Sequence, residues 1–183
     1  MGCVGAKLLY PDNTIQHAGI GFGFLTLAAH MHKNFPVGHP GYMGRLVYAQ
    51  DVYAVTAACL MVRKSVYEQV NGLDESFAVA FNDVDFCVRV REAGYTNVFT
   101  PFAQLYHYES KSRGGDEKDP VKAARFAAEQ QRLYTIHGKE NILDDPYYNP
   151  NLTRDREDFS ESDDLRRLKE GRVTVRFRGG TLQ

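Results

Sequence analysis

The stretch of residues 81–95 constrains the fold most, because it has the composition of one complete short helix. Its apolar side chains recur at helical spacing, and Gly94 stands where a helix should end. We predict that Asn82 or Asp83 caps this helix. An aspartate there accepts backbone N–H bonds at the positive end of the helix dipole, so it stays ionised and faces outward from the sheet edge.

Asp83 has two interpretations. An aspartate at a helix start is most often only a cap. A carboxylate held at the rim of a cleft is also what a general base requires. Asp85 lies about 200° further around the helix, so the two carboxylates cannot chelate one ion on an intact helix. We therefore predict a structural, outward-facing or arginine-paired role for Asp85.

Further motifs flank this helix on both sides. Residues 56–77 read TAACLMVRKSVYEQVNGLDESF, residues 106–114 read YHYESKSRG, and residues 145–152 read DPYYNPNL. Together with the helix they resemble the carboxyl-terminal half of a family 2 glycosyltransferase of the GT-A fold, especially its bacterial rhamnosyltransferase-like, O-antigen-type members. The resemblance runs from about Val4 to about Phe159.

The resemblance implies roles for individual residues. Asp83 falls on the family's catalytic base, in a frame that usually reads Glu-Asp and here reads Asn82-Asp83. The change to Asn82 leaves the base intact and removes a neighbouring negative charge. Asn82 and Asp74 are the candidate acceptor-binding residues, and a turn or cap is the alternative role for Asp74. His107, in a His-x-x-Ser pattern with Ser110, matches the histidine that contacts the metal or the donor diphosphate.

The surroundings of His107 suit a diphosphate. Ser110 and Arg113 would supply a hydroxyl and a cation, and Gly114 would allow close approach of the backbone. A lone histidine is otherwise more often a structural residue. The resemblance also implies Mg²⁺ or Mn²⁺ as cofactor, with an aspartate pair outside this sequence as the principal ligands.

The resemblance further implies the fold class and the division of the chain. We expect an α/β protein with a partial GT-A, Rossmann-like mixed sheet and flanking helices, which lacks the amino-terminal nucleotide-binding half. Residues 1–159 would form the carboxyl-terminal acceptor and catalytic half. Residues 160–183 are highly charged, and we expect them to form a mobile tail.

The remaining pattern predicts the order of elements. Residues 3–10 and 15–23 should form a hairpin around a turn at 11–14, and the apolar run 52–62 should form a central strand. A short helix should span 64–71 and end at Gly72. Strands are predicted at 96–100 and 103–107, separated by Pro101, and a long helix should begin at Pro120.

The histidines of the first fifty residues receive structural interpretations. His17 is predicted to be a surface or hydrogen-bonded strand residue, with an acceptor contact as the minor alternative. Residues 21–48 are rich in glycine, proline and aromatics, which predicts a mobile loop over the site. The spacing of His30, His32 and His39 fits no standard zinc site.

Charge and cysteine content limit the function classes. The net charge is −1, which gives no support for binding nucleic acid, and no apolar run has the eighteen or so residues that a transmembrane segment needs. The three cysteines lack CxxC spacing and are interpreted as reduced. We expect a cytoplasmic protein, or one bound peripherally at the inner membrane face.

The resemblance implies an inverting glycosyltransferase that moves a sugar from a nucleotide-sugar donor to a hydroxyl of a saccharide acceptor, with Asp83 as general base. We expect this chain alone to be inactive. The alternative is a non-catalytic module that binds an acceptor or forms a homo-oligomer through an exposed sheet edge.

Overall fold

The computed structural model describes residues 1–24, 27–108 and 119–163. Its strands are β1 (Val4–Leu9), β2 (Ile15–His17), β3 (Ile20–Phe24), β4 (Leu27–His30), β5 (Gln50–Val52), β6 (Leu60–Met61) and β7 (Asn97–Tyr106). Its α-helices are α1 (Lys64–Gln69), α2 (Asn82–Glu92), α3 (Pro120–His137) and α4 (Lys139–Leu143).

A mixed sheet with β1 and β7 parallel at its centre organises the chain. On its other edge β1 pairs antiparallel with β2 and β6, while β5 pairs antiparallel with the start of β7. A separate antiparallel pair is formed by β3 and β4. The predicted α/β class with a mixed sheet is confirmed. Of the predicted hairpin partner at 15–23, only β2 pairs with β1, because residues of β3 pair with β4 instead. The GT-A assignment and the division at residue 159 stay predictions.

The predicted break at Pro101 is wrong, because β7 continues through this residue. The pairing of β1 with β7 shifts between Ala6 and Lys7, so that Ala6 lies opposite Thr100 and Lys7 opposite Gln104. The extra residues of β7 form a bulge at this point. Pro101 lies in the bulge, where its missing N–H removes no ladder bond.

The predicted central strand at 52–62 is also wrong. Only its two ends lie in strands, β5 and β6. Between them the chain is buried at 53–55, where Ala54 makes an isolated bridge with Ile20, and it then forms a 3₁₀ turn over Ala57–Cys59. The Thr56 side chain accepts a hydrogen bond from the Ala58 N–H and so begins this turn. An apolar run indicates burial, but it does not show whether the backbone pairs with strands or with turns.

The predicted mobile loop at 21–48 is wrong in its first part. Residues of β3 and β4 pair and contribute buried side chains, among them Phe22 and Phe24. Gly23 has a φ of 82° at the point where the register shifts, a conformation that glycine adopts without strain. The glycines therefore serve a bulged strand here. Turns, an isolated bridge at Pro36 and a 3₁₀ segment at Tyr42–Gly44 make up residues 31–48.

The central helix α2 ends as predicted but begins differently. The N–H of Gly94 donates to the carbonyl of Arg91 at 2.8 Å, and that of Tyr95 donates to the carbonyl of Val90 at 3.2 Å, which is a Schellman ending. The predicted cap by Asn82 or Asp83 is wrong. Phe81 occupies the N-cap position with a φ of 64°, and no side chain caps the helix.

Helices α1 and α3 agree with the sequence pattern, whereas α4 was not predicted. Helix α1 is followed by Gly72 at a φ of 67°, and the Asp119 carboxylate caps α3 by accepting a bond from the Val121 N–H. None of the helices in the described part of the chain combines the length and apolar character that a membrane crossing requires. Residues 164–183 of the predicted tail lie outside the described residues.

A buried amide at the start of β7 joins three parts of the fold. The Asn97 side chain donates to the carbonyls of Tyr53 at 2.9 Å and Cys87 at 3.0 Å, and it accepts from the Cys3 N–H at 3.1 Å. Asn97 is fully buried. It therefore links the segment before β1, the segment after β5 and helix α2 through groups that water cannot reach.

Asp85 holds helices α1, α2 and α3 together. Its side chain is 1% exposed, accepts two bonds from Arg89 at 2.9 and 2.6 Å, and pairs with His137 Nε2 at 2.9 Å. Arg89 also donates to the carbonyl of Val70, and His137 Nδ1 contacts Glu92 at 3.1 Å. The predicted arginine pairing of Asp85 is confirmed, but the residue faces inward.

The electrostatics of this cluster are coupled. Burial opposes ionisation of Asp85, but hydrogen bonds from His137 and Arg89 outweigh it and lower the pKa of the carboxyl. Burial likewise opposes protonation of His137, but hydrogen bonds to Asp85 and Glu92 outweigh it and raise the pKa of the imidazole. The cluster thus favours a charged pair inside the protein.

We predict that Asn97→Ala lowers the free energy of unfolding by about 3 kcal/mol, because it leaves buried backbone groups without their partners. Urea denaturation measures the change. Asn151→Ala, at an exposed position, is the control and should change stability by less than about 0.5 kcal/mol. Equal, small effects of the two substitutions would contradict the structural role of Asn97.

We predict that His137→Gln lowers the free energy of unfolding by about 2 kcal/mol at pH 6, because Asp85 loses its imidazolium partner. The raised pKa of His137 adds stability below the ordinary value of 6.5, and this is lost as pH rises through the folded-state pKa. The difference in unfolding free energy between wild type and variant should therefore decrease between pH 6 and pH 9.

Urea denaturation at several pH values measures the difference in unfolding free energy between wild type and His137→Gln. Other buried histidines are present in both proteins, so their effects cancel in this difference. His39→Gln, at an exposed histidine, should leave the pH dependence of the wild type intact. A difference between wild type and His137→Gln that stays constant with pH would contradict the assignment.

Candidate functional site

Asp83 lies in the first turn of α2, half-buried, with its carboxylate fixed by the backbone. Oδ2 accepts a hydrogen bond from the Ala57 N–H at 3.0 Å, and Oδ1 accepts one from the Val84 N–H at 2.8 Å. A carboxylate oxygen has two lone pairs, so both oxygens retain acceptor capacity. The side chain is thus held in one orientation by two elements, α2 and the 3₁₀ turn that follows Thr56.

A small cavity opens beside this carboxylate. Its volume is about 140 Å³, and Asp83 and His30 are its polar lining residues. The apolar lining consists of Ile20, Ala28, Ala29, Phe81 and Val84. Few polar groups converging in an apolar cavity are typical of small-molecule sites. The cavity therefore combines a proton acceptor with a shaped, mostly apolar wall.

His30 contacts a second, fully buried histidine. Its Nδ1 lies 2.8 Å from Nδ1 of His17, and Nε2 of His17 accepts from the backbone N–H groups of Gly19 at 3.3 Å and Thr56 at 3.4 Å. Burial, and then the positive charges of His30 and His107, lower the pKa of His17 well below 6.5. His17 is therefore a hydrogen-bonded strand histidine, as predicted, and it is neutral.

His107 follows the end of β7, next to the end of the parallel strand β1. Its N–H donates to the carbonyl of Leu9 at 2.9 Å, and its charge is felt at His17. Nδ1 of His107 is buried and has no hydrogen-bond partner among the described residues. His107 thus lies beside the carboxyl end of β1 and influences His17, whereas Asp83 lies beside the turn at Ala57 and shares its cavity with His30. His107 does not line the cavity at Asp83.

The predicted acceptor-binding residues have different surroundings. Asn82 lies next to Asp83 and accepts a bond from its N–H at 2.7 Å. Asp74 accepts from the Ser76 N–H at 2.9 Å and from Arg132 at 3.4 Å, and it does not line the cavity. Hydrogen bonds from Ser76, with a smaller effect of Arg132, lower the pKa of Asp74. Its turn role is observed, and acceptor binding stays a prediction.

The predicted diphosphate and metal contacts are only partly visible. Ser110 and Arg113 lie outside the described residues. In the ranges that are described, no group of three or more His, Cys, Asp or Glu side chains is arranged to hold a metal ion. His107 offers one buried nitrogen, whereas Mg²⁺ takes mainly oxygen ligands. The described residues could thus supply one contact to a cation, and its binding stays a prediction.

Sequence reasoning did not assign His30 to the site. The sequence indicated a loop histidine outside any standard zinc site, because the glycine-rich sequence around His30 gave no sign of strand β4. Burial alternates along Leu27–His30 in the structure. The sequence shows no such alternation, because its first three residues are all apolar. The pairing of His30 with His17 depends on the contact between two separate hairpins and has no local signal.

A larger cleft of about 740 Å³ lies near the opposite end of α2. It contains both cations and anions, namely Arg91, Arg154, Glu140 and Asp144. The Arg91 guanidinium stacks over the ring of Tyr53 at 3.9 Å. None of the predicted site residues lines this cleft, so its size alone does not make it the better candidate.

Comparison with known proteins gives three informative similarities, while no protein-family model matches the chain. The chain is 50% identical over 160 residues to the uncharacterised protein y4gI of Sinorhizobium fredii, a match covering 87% of this chain and 17% of that protein. It is 34% identical over 154 residues to the O-antigen biosynthesis protein RfbC of Myxococcus xanthus, covering 84% of this chain and 12% of that protein.

A third relative is the N-acetylglucosaminyl-diphospho-decaprenol L-rhamnosyltransferase of Mycobacterium tuberculosis. It is 35% identical over 80 residues, which are 44% of this chain and 24% of that protein. The chain thus spans less than a quarter of the length of each of these relatives. It is similar to segments of proteins whose names denote O-antigen biosynthesis and rhamnosyl transfer.

Proposed function

We propose that the chain is the acceptor and catalytic part of an inverting, family 2 glycosyltransferase with a partial GT-A fold. It would transfer a sugar from a nucleotide-sugar donor to a hydroxyl of a saccharide acceptor. The observation that carries this proposal is the carboxylate of Asp83, fixed by the N–H groups of Ala57 and Val84 beside a cavity of about 140 Å³. The names of two relatives support the reaction class.

In the proposed reaction, Asp83 accepts the proton of the acceptor hydroxyl as the hydroxyl oxygen attacks the anomeric carbon of the donor. The attack comes from the face opposite the diphosphate, so the new C–O bond forms as the bond to the diphosphate oxygen breaks, with inversion at carbon. The diphosphate leaves with the bonding electron pair. Asp83, now protonated, returns its proton to solvent.

His107, with Ser110 and Arg113, is proposed to contact the departing diphosphate. The support for His107 is its buried Nδ1, which has no hydrogen-bond partner among the described residues, and its position after β7. A donor or a cation at this place would stabilise charge that grows on the leaving group. Bound Mg²⁺ or Mn²⁺ would neutralise part of that charge, with principal ligands from outside this chain.

The substrate class follows from the relatives only as a proposal. The rhamnosyltransferase name specifies an N-acetylglucosaminyl-diphospho-lipid as acceptor and rhamnose as the transferred sugar. We propose a lipid-linked or growing saccharide acceptor in polysaccharide synthesis. Cytoplasmic placement at the inner membrane face is consistent with such an acceptor and stays part of the proposal.

A second candidate is a non-catalytic module that binds an acceptor or forms a homo-oligomer. The observation that favours it is the second half of β7, where residues 100–106 pair with no strand on the side away from β1 within the described chain. Phe102 is 79% exposed there, and Leu105 is also exposed. Such an edge pairs readily with another strand. Light scattering that shows a monomer would weaken this candidate.

We predict that Asp83→Asn lowers kcat about 10²- to 10⁴-fold, because an amide cannot accept the hydroxyl proton. Unfolding free energy should change by only about 1 kcal/mol, through the bond to one backbone N–H. Transfer of labelled sugar to a saccharide acceptor is measured for the wild type and the variant. Asp51→Asn, at an exposed aspartate outside the site, should retain activity. Full activity of Asp83→Asn would remove the residue from its role.

We predict that Ala57→Pro lowers kcat about tenfold while the protein stays folded. Ala57 is exposed, starts a 3₁₀ turn and follows Thr56 at φ −74° and ψ 141°, a backbone that proline accepts. Proline has no N–H, so Asp83 loses the hydrogen bond from residue 57. The proline ring also occupies the place of that N–H and displaces the carboxylate. Ala57→Gly keeps this N–H and is the matched control. Equal activity of the two variants would show that the hydrogen bond from Ala57 to Asp83 is not needed for transfer.

A further inference from the structure

The loop before helix α2 holds Phe81 in an unusual backbone conformation. Phe81 has a φ of 64°, in the left-handed region that bulky side chains rarely adopt. Its carbonyl still accepts the first bond of the helix, from the Asp85 N–H at 2.8 Å. Phe81 also lines the cavity that contains Asp83. A strained residue of this kind persists only where the surrounding structure holds it in place.

Helix α3 supplies contacts that hold this loop. Oε2 of Glu129 accepts a hydrogen bond from the Ala80 N–H at 2.6 Å, and Oε1 accepts one from the Val79 N–H at 3.3 Å. The centroid of the Phe126 ring lies 4.9 Å from that of Phe81. Phe126 and Glu129 are three residues apart, so they lie on one face of the helix. This face therefore contacts Phe81 and the two residues before it.

The same face of α3 contacts the earlier part of the loop. Cζ of Arg132 lies 5.6 Å from the centroid of the Phe77 ring, and Nη2 of Arg132 lies 3.4 Å from Oδ2 of Asp74. From residue 132 back to residue 126 of α3, the contacted loop positions advance from 74 to 81. Helix α3 thus runs antiparallel to the loop, and Glu129 is the middle of three successive contacts.

The Glu129 carboxylate is matched to this place. The residue is only 5% exposed, and a buried carboxylate needs hydrogen-bond partners and a compensating charge. The two backbone N–H groups supply the former, and Arg125 Nε lies 4.0 Å from Oε1. Each N–H donates to a different oxygen, so a glutamine here would oppose one of them with its own NH₂ group.

The two sides of the cavity at Asp83 are held by different elements. The Asp83 carboxylate accepts bonds from the N–H groups of Ala57 and Val84, in the 3₁₀ turn and in α2 itself. Phe81 is held through Glu129 and Phe126, which belong to α3. A change in α3 would therefore move the wall of the cavity and leave the proposed base in its orientation.

We propose that Glu129 is a positioning residue for acceptor binding, which fixes Phe81 as a wall of the cavity beside Asp83 by holding the N–H groups of Val79 and Ala80. The inference rests on the proposed function and adds to its site a residue that acts through the loop. In a cavity of about 140 Å³, a small displacement of Phe81 changes how closely a sugar ring approaches Asp83.

The first test measures backbone amide exchange by NMR in the wild type and in Glu129→Leu. We expect the amides of residues 79–81 to exchange at least about tenfold faster in the variant, because their acceptor is lost. The amides of Ala57 and Val84, which donate to Asp83, should keep their protection. Unchanged exchange at residues 79–81 would overturn the inference, and it would leave the proposed role of Asp83 untouched.

The second test measures transfer of labelled rhamnose from its nucleotide-activated form to methyl N-acetylglucosaminide and to methyl rhamnoside. Glu129→Leu should raise the acceptor KM about tenfold, with kcat within about threefold of wild type and the donor KM unchanged. Glu129→Gln keeps one acceptor oxygen and should raise the acceptor KM by about threefold. Asp83→Asn lowers kcat instead, so the two residues are distinguished by the parameter that changes.

The matched control is His137→Gln, which removes buried contacts from the same helix. His137 pairs with Asp85 and Glu92 of α2. This variant should lower stability without raising the acceptor KM. An equal rise in acceptor KM for His137→Gln and Glu129→Leu would indicate general loosening of α3 and would overturn the positioning role. If Glu129→Leu does not fold, amide exchange and acceptor KM of Glu129→Gln decide in its place.

A double-mutant cycle tests whether Glu129 acts through Phe81. Phe126→Ala removes the ring that packs against Phe81 and should also raise the acceptor KM. Because both substitutions release the same residue, their combined effect on acceptor KM should be smaller than the product of the single effects. Independent effects would overturn the shared action through Phe81.

The outcomes separate the inference from the proposed function. Faster exchange at residues 79–81 in Glu129→Leu, together with an unchanged acceptor KM, would overturn the inference and leave the proposed function standing. A wild type that transfers sugar to neither glycoside would overturn the proposed function and, with it, the role of Glu129 in acceptor binding.

Discussion

The buried side-chain amide of Asn97 is the interaction on which the arrangement of the site depends. It joins the backbone before β1, the backbone after β5 and the middle of α2 in a place closed to water. The segment that Asn97 holds at Tyr53 continues to Ala57, and the helix that it holds at Cys87 carries Asp83 in its first turn. One amide therefore sets the distance between the Ala57 N–H and the Asp83 carboxylate, which form a hydrogen bond, although Asn97 itself lies outside the site.

Helix α2 separates two aspartates into two kinds of chemistry. Asp83 is half-buried, faces the cavity and is held by backbone N–H groups. Asp85 faces the interior, where Arg89 and His137 compensate its charge. The 3.6-residue period makes this separation unavoidable for residues two apart. A paired, buried carboxylate and a half-buried carboxylate that lines a cavity thus lie within one turn of the same helix.

Local patterns predicted those elements whose signals are local. The hairpin at the start of the chain, helix α2 with its glycine ending, the arginine partner of Asp85 and the start of α3 at Pro120 all follow from spacing, turn chemistry or charge within a few residues. Strand β3 with its glycine bulge, the passage of β7 through Pro101 and the non-strand path after β5 could not be predicted in the same way. In the first two cases a partner strand that is distant in sequence decides the backbone conformation. In the third case the apolar run 53–55 is buried, and burial by itself does not specify the backbone conformation.

The sequence by itself determined that one short helix carries both Asp83 and Asp85 and that the two side chains point in different directions, because the helix period acts over a few residues. It also placed His107 at the end of a strand, because strand and turn patterns are local. Only the tertiary structure decided that Phe81 occupies the N-cap position, that Ala57 clamps the carboxylate, and that His17 and His30 meet beside it. These contacts join segments 13 to 39 positions apart in the chain. Such contacts form because packing of separate hairpins and a helix brings their polar groups together, which no local pattern records.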